Sequence, residues 1–466
     1  MRRKRKQYIR NRDRLTSHGN SSLRNAATEV IEYALEAADP YTAVNRLMRL
    51  QNERLTVGDL ALDLKDYDRI FILGAGKASG GIAHALEEIL GDRISDGLFV
   101  LKHGDEAPLH RTRVIYADHP IPDENSYRGA QLMASMAETF TDKDLVFAGI
   151  TGGSSALLAL PVEGITLEDI QQVNQLLMLS GADIVQINAV RKHLSRIKGG
   201  WLAKMILPAT LINLTVSDVV GDMLDYITGP TVPDTSTLED ARCVMDEYNL
   251  WDSFPASASE YLRRGGSAEE TPKDFRNLPL HSFVVVAGDV ACVAAAERAG
   301  ELGFKSMILT SMIKGEAKEA GSFLASIAQE AFRFGRPIAP PCAIIAGGEN
   351  VVTIGSKDRG SGGPNQEFAL SASIYVAGLE NVVIAAIDTD GFDGSTESAG
   401  AIIDGSTKAS AEAQGYNPKE VLRKHDVDGM LHVIGDAVIT GPTGTNVNDL
   451  KILLVIEARF NSQVQL

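Results

Sequence analysis

A two-domain α/β fold is what this sequence predicts, and three observations predict it. Short apolar runs alternate with segments whose apolar residues recur three and four apart, the pattern of strands followed by amphipathic helices. Most of those runs end in glycine- or aspartate-rich turns, where open α/β sheets bind their ligands. At 466 residues, 44% of them hydrophobic, the chain is too long for one ordinary domain and rich enough for substantial cores.

In chain order, Met1–Arg14 carries eight Arg or Lys residues against one Asp, and lacks the apolar core of a secretory signal. Residues 1–22 therefore read as a basic mobile tail, and the protein as cytoplasmic. Helical spacing runs over Asn25–Ala38 and Tyr41–Leu50. Strands are expected at Ile70–Leu73, Gly97–Leu101, Val114–Ala117, Leu145–Ile150 and Thr210–Val216. Helices are expected between them at Ala78–Leu90, Ser126–Phe140, Leu167–Ser180 and Ala182–Ile197. Such alternation makes a parallel or mostly parallel sheet covered on both faces. Around Thr228–Leu280 prolines and polar residues interrupt the periodicity, which puts a domain boundary there: 23–255 against 256–466. A second alternation follows through Ser282–Ala287, Ala291–Leu302, Ser306–Thr310, Ala317–Phe334, Cys342–Ala346, Asn381–Ile387 and Lys451–Ile456.

A formal charge of −16 argues against broad binding to nucleic acid or an anionic membrane. No apolar run is long enough to span a bilayer. Cys243, Cys292 and Cys342 lie far apart, without metal-ligand spacing, and read as small buried residues.

The turns carry the candidate chemistry. Gly74-Ala75-Gly76-Lys77-Ala78-Ser79 joins a strand to a helix start, where backbone N–H groups and the helix dipole favour an anion and Lys77 adds a mobile charge. It is not a P-loop, and Gly80 falls one residue late for the dinucleotide fingerprint. Lys102 and His103 stand where an acidic residue would hold a ribose, so NAD is disfavoured; a tight turn with a surface lysine is the plain alternative. Thr151-Gly152-Gly153-Ser154-Ser155 suits a phosphate or carboxylate cradle, or a purely structural turn, and lacks the elbow of a nucleophilic serine. Asn188, Arg191, Ser195 and Lys198 should share one helix face, as a substrate clamp or a solvated surface. Asp218 follows an apolar strand, a place for Mg²⁺ or for an N-cap. Gly347–Glu349 and Gly360–Glu367 form glycine loops, the second leading into a helix with Asn365 near its start. Asp388, Asp390 and Asp393 repel one another unless a cation, a basic partner or solvent compensates, and Asn446 is placed to line the same cleft. His119, before Pro120, reads as a general base or a turn residue.

In this order the motifs resemble the class II glycerate 2-kinase family, also called the MOFRL family, some of whose members are named hydroxypyruvate reductases. The likeness runs from about Asn25 to Glu457. It implies ATP-dependent phosphorylation of D-glycerate at the 2-hydroxyl, with Mg²⁺ or another divalent cation. It also implies two α/β domains, the first Rossmann-like, with the active cleft between them. On that reading Lys77, Arg191 and Asp218 are catalytic, and Asp218 and Asp390 hold the metal. Gly74, Gly76, Ser79, Gly152, Gly153, Ser154, Ser155, Asn188, Lys198, Asn365, Glu367 and Asn446 bind substrate or phosphate. The partners are then D-glycerate and ATP, with no nucleic acid or membrane, and a homodimer is one assembly left open. One position departs from the pattern: Pro364 stands where the family commonly has an arginine that contributes to catalysis, and Arg191 or Arg359 is the candidate substitute. The rival readings are an NAD(P)H-dependent hydroxypyruvate reductase and a sugar-acid or nucleotide-binding homologue impaired in turnover.

Overall fold

The computed structural model describes residues 7–105, 107–217, 229–355 and 360–457. The chain divides into two compact units, one of Asp39–Ala287 and one in which Met1–Ala38 joins Gly288–Leu466.

In the first unit a small antiparallel sheet, β1 (Met48–Gln51), β2 (Arg54–Val57) and β3 (Leu60–Asp63), precedes the main one. The helix expected over Tyr41–Leu50 is Pro40–Leu47, and the chain turns extended at Met48. The main sheet contains β4 (Arg69–Ala75), β5 (Ile94–Lys102), β6 (Arg113–Ala117), β7 (Asp144–Ile150), β8 (Thr210–Val216) and β9 (Leu280–Val286). Its order is β6-β5-β4-β7-β8-β9 and every pair is parallel. The middle strands β4, β7 and β8 are buried almost throughout, as unbroken apolar runs must be when helices cover both faces. Phe71, Leu73, Leu98, Val100, Val146 and Leu211 form part of the core on one side.

Helix starts follow their caps. Asp123 opens Glu124–Ala137, Thr166 opens Leu167–Ser180 and Asp183 opens Ile184–His193, each in a reciprocal capping box that contributes about 1 kcal/mol. The last of these ends at His193 rather than at Ile197; Ser195 instead bridges to Pro161. The stretch read as a domain boundary contains two helices, Leu238–Glu247 and Ala256–Arg264, which bury Leu238, Met245 and Leu262 against Val173, Leu177 and Val190. Because β9 then pairs with β8, the unit ends at Ala287 rather than at 255. Prolines and polar residues here mark connections within one unit.

The second unit contains β10 (Lys305–Ile313), β11 (Cys342–Gly348), β12 (Val382–Asp388), β13 (Gly400–Asp404), β14 (Ala437–Val438) and β15 (Asp449–Val455), ordered β10-β11-β15-β12-β13-β14. Only β10 and β11 run parallel; β15 inserts antiparallel between β11 and β12. Phe368, Ile344, Ile384 and Leu453 anchor the core.

From Gln7 onward the expected mobile tail is packed. Ile9 and Leu15 are fully buried, and helix Ser21–Ala37 lies against helix Val290–Glu301. Arg24, also fully buried, pairs with Asp404 and with Asp436, both at 2.7 Å. Cys292 and Cys342 are buried as expected, but Cys243 is exposed on helix Leu238–Glu247. Among the described residues no helix is long and apolar enough to cross a membrane.

Candidate active site

The carboxyl ends of the neighbouring strands β4 and β7 carry two turns that are laced together. Lys77 N–H donates to Gly152 O at 2.9 Å, and Thr151 N–H donates to Ala75 O at 3.1 Å. Thr151 Oγ1 accepts from Ala78 N–H at 3.1 Å, while Ser79 Oγ donates to Gly149 O at 2.9 Å. Gly76 has φ +131°, and a Cβ there would lie 2.1 Å from Thr151 Oγ1, so only glycine lets the turns approach so closely. A Cβ on Gly153 would sit 3.1 Å from Lys77 Cγ and 3.3 Å from His119 Cδ2, which brings Lys77, Gly153 and His119 to one spot.

This geometry sorts the residues read as phosphate-binding. The amides of Gly152 and Gly153 make no hydrogen bond among the described residues, as a cradle for oxyanions requires. Ser154 N–H is spent on Thr151 O at 3.2 Å. Ser79 is fully buried with its hydroxyl engaged, so it positions the turn rather than meeting a ligand. Gly74 is demanded by the sheet: a Cβ would lie 2.2 Å from the Phe99 ring.

Beside this rim lies a partly open cavity of about 20 Å³, the room of a single small polar group. Ser155, Asn174, Arg191, Ser195 and Lys198 supply its polar lining. Arg191, Ser195 and Lys198 thus line one cavity although the helix stops at His193; the chain turns there with Ser195 N–H donating to Lys192 O at 3.3 Å and Lys198 N–H to Ser195 Oγ at 3.2 Å. Arg191 Nε donates to Asn174 Oδ1 at 2.8 Å, and its Nη1 reaches the Oδ1 of the buried Asn188 at 3.5 Å. Lys198 Nζ donates to Leu158 O at 2.5 Å. Neither cation has a carboxylate partner among the described residues. Burial pulls Arg191 down to about 10, and burial followed by the Arg191 charge pulls Lys198 down to about 7. The neighbouring Lys192 differs. It pairs with the buried Asp234 at 2.9 Å, and although burial pushes the Asp234 carboxyl up, Lys192 and the Ser236 and Thr271 donors hold it low.

The remaining candidates belong to the second unit. Pro364 opens helix Pro364–Tyr375, where a missing N–H costs nothing. Asp393 accepts from Asn365 N–H at 2.9 Å and Gln366 N–H at 2.8 Å, capping that helix; burial pushes its carboxyl up to about 7 against those donors. Asn365 Nδ2 donates to Asp449 Oδ1 at 2.7 Å, and Lys451 Nζ reaches Asp449 Oδ2 at 2.5 Å. Glu367, read as ligand-binding, is buried against His425 at 2.8 Å, a structural pair. Asp390 is buried and Oδ1 accepts from Phe392 N–H at 2.9 Å; Asn446 is buried on the loop before β15. The acidic run therefore serves in part as turn and cap. Among the described residues the group that brings three side-chain ligand atoms within 4.8 Å is another, His103, Asp118 and Asp123. Its imidazole suits Mg²⁺ poorly. Asp218 and Arg359 lie outside the described residues.

Comparison with known proteins fits these observations. Residues 26–263 match the family described as "Domain of unknown function (DUF4147)", and residues 342–449 match the MOFRL family. The chain is 43% identical to a glycerate 2-kinase of Pyrococcus horikoshii over 441 residues, covering 94% of this chain and 98% of that one. It belongs to the MOFRL family. Another relative, from Agrobacterium vitis, is named a putative hydroxypyruvate reductase and is 38% identical, with 93% of this chain and 95% of that one covered. The crystal structure of a Thermotoga maritima glycerate kinase superposes with a TM-score of 0.80 at 39% identity, covering 93% of this chain and 100% of that one. For a MOFRL protein, Pro364 keeps its local role as helix opener while lacking the charge an arginine would bring.

Asn174 was not singled out from the sequence, yet it fixes the Arg191 guanidinium. Its signal was there: Ile170, Val173, Asn174 and Leu177 follow helical spacing, and a polar residue interrupts the apolar stripe. Asp234, which holds Lys192, closes the Gly229–Asp234 turn that stands out in the sequence, whereas Thr271, which donates to Asp234 at 2.8 Å, carried no such local mark.

Proposed function

We propose that this protein catalyses transfer of the γ-phosphoryl group of ATP to the 2-hydroxyl of D-glycerate, giving 2-phosphoglycerate and ADP. The observation that carries the reading is the laced pair of turns at β4 and β7, with Lys77 held beside two unengaged amides. Phosphoryl transfer needs little covalent help; it needs in-line placement and neutralisation of charge on the transferred group. Lys77 would meet the oxygens of that group, and the Gly152 and Gly153 amides would hold an adjacent oxyanion. Arg191 would fix the acceptor. A divalent cation, Mg²⁺ by preference, would neutralise phosphate charge when bound; carboxylates are the hard donors such an ion takes, and Asp218 and Asp390 are the candidates read from the sequence. The glycerate kinases among the relatives support the same assignment.

Incubating the purified protein with ATP, Mg²⁺ and D-glycerate should give 2-phosphoglycerate, identified by phosphorus NMR. Absence of any phosphorylated product would overturn the reading. The relative named as a reductase makes a control worthwhile: hydroxypyruvate and NADH should show no loss of NADH absorbance.

A further inference from the structure

The cavity beside the laced turns has an unusual charge balance. Among the described residues its lining holds two cations, Arg191 and Lys198, and no acidic residue. Lys198 is only 5% exposed, and one of its three N–H donors is used, on Leu158 O. The Nη2 of Arg191 makes no hydrogen bond among the described residues, while Asn174 and Asn188 hold Nε and Nη1. Two like charges in one cavity, Lys198 buried and Arg191 half-buried, repel and are costly to desolvate, so a fold retains them where an anion completes the site. Ser155, Asn174 and Ser195 add neutral polar groups, while Leu160, Ile170, Val173 and Leu194 are apolar, and the space left takes one small group.

Resting on the kinase reading, we propose that Arg191 and Lys198 seat the carboxylate of the acceptor acid and thereby select a small hydroxy acid over a neutral polyol. A carboxylate is planar, carries one charge and offers two oxygens, so it can bridge a guanidinium edge and an ammonium at once. Transferring phosphate is a worse occupant: it must stay open to in-line attack, and this cavity is walled on most sides by side chains. Lys198 is a specificity residue here, with a role separate from the phosphoryl chemistry assigned to Lys77.

Lys198→Met is the decisive variant. KM for D-glycerate should rise roughly 10- to 100-fold while KM for ATP stays put. Calorimetric titration with D-glycerate alone gives a readout independent of turnover. Arg191 is the charged group facing the amine; helix Leu167–Ser180 presents Ile170, Val173 and Asn174, the 155–161 segment presents no charge, and Lys192 and His193 face Asp234 and Glu270. With Lys198 near 7 when the seat is empty, binding at pH 8 should take up close to one proton, about 0.9, and almost none at pH 6. Lys198→Met should abolish that uptake, and Arg191→Lys should preserve it with weakened affinity. Unchanged D-glycerate affinity in Lys198→Met, or a lowered Tm with both KM values moved alike, would overturn the carboxylate seat and leave the kinase reading intact. Lys198-dependent binding of D-glycerate in a protein that forms no phosphorylated product would do the reverse.

Discussion

Two arginines, one fully buried and one half-buried, divide the molecule between them. Arg24 lies between Asp404 and Asp436, and although burial opposes its charge, those carboxylates raise its pKa above the ordinary value. Arg191 lies among amide oxygens, and burial pulls it down to about 10 with nothing to offset it. The first is complete within the fold: it ties the N-terminal segment to the sheet of its unit. The second has no carboxylate partner among the described residues, and on the proposed reading the ligand completes it. A buried charge thus reports structure or function according to whether the chain itself neutralises it.

The largest effect that sharpens this contrast is at the rim. Lys77→Ala should lower turnover by a factor on the order of 10²–10⁴ with the fold retained, measured by steady-state kinetics alongside circular dichroism. Wild-type turnover would remove Lys77 from the chemistry.

Next comes the contrast itself. Arg24→Met leaves two carboxylates buried without their cation and should cost about 3–5 kcal/mol in urea unfolding. Arg191→Met strands no partner charge, so its stability should stay within about 1 kcal/mol of the parent or exceed it. Equal losses in both variants would break the distinction.

Acid should separate the two regions as well. Burial pushes the Asp404 carboxyl up, but Arg24 holds it at about 2, below the unfolded value. Stability from this group is therefore present above about pH 4 and lost as pH falls toward 2, by about 2 kcal/mol in total. Urea midpoints at pH 5 and pH 3 should show the drop, and Asp404→Asn should flatten it.

The smallest effect concerns positioning. Ser79→Ala removes two buried hydrogen bonds that lace the turns and should cost about 1 kcal/mol, with turnover reduced less than about tenfold. A loss as deep as that of Lys77→Ala would return Ser79 to direct ligand contact.

Much of the first unit was legible. Leu167–Ser180 and Thr210–Val216 were read to the residue, because apolar periodicity, caps and a stopping glycine are local properties. Helix Ala317–Phe334 was legible for the same reason. The helix after Ala182 was read four residues too long, since Ser195 and Lys198 keep helical spacing while the chain has already turned. Residues 7–20 looked like a solvated tail because their charges dominate the composition; Ile9 and Leu15, too sparse to make a periodic signal, anchor them.

At the site, the glycine turns were visible as motifs, and their convergence with Lys77 followed from strands ending on one rim. The roles of Ser79, Glu367 and Asp393 were not visible, because a hydroxyl or carboxylate reads alike whether it meets a ligand or a backbone amide. What the sequence determined by itself was the order of strands, helices and turns, each set by neighbours a few residues away. Tertiary structure alone decided which charges are neutralised: Arg24 meets Asp404 across 380 residues of chain, and Arg191 meets no carboxylate at all among the described residues. Periodicity is a local property, whereas the pairing of a buried charge depends on which distant segments the completed fold brings within reach.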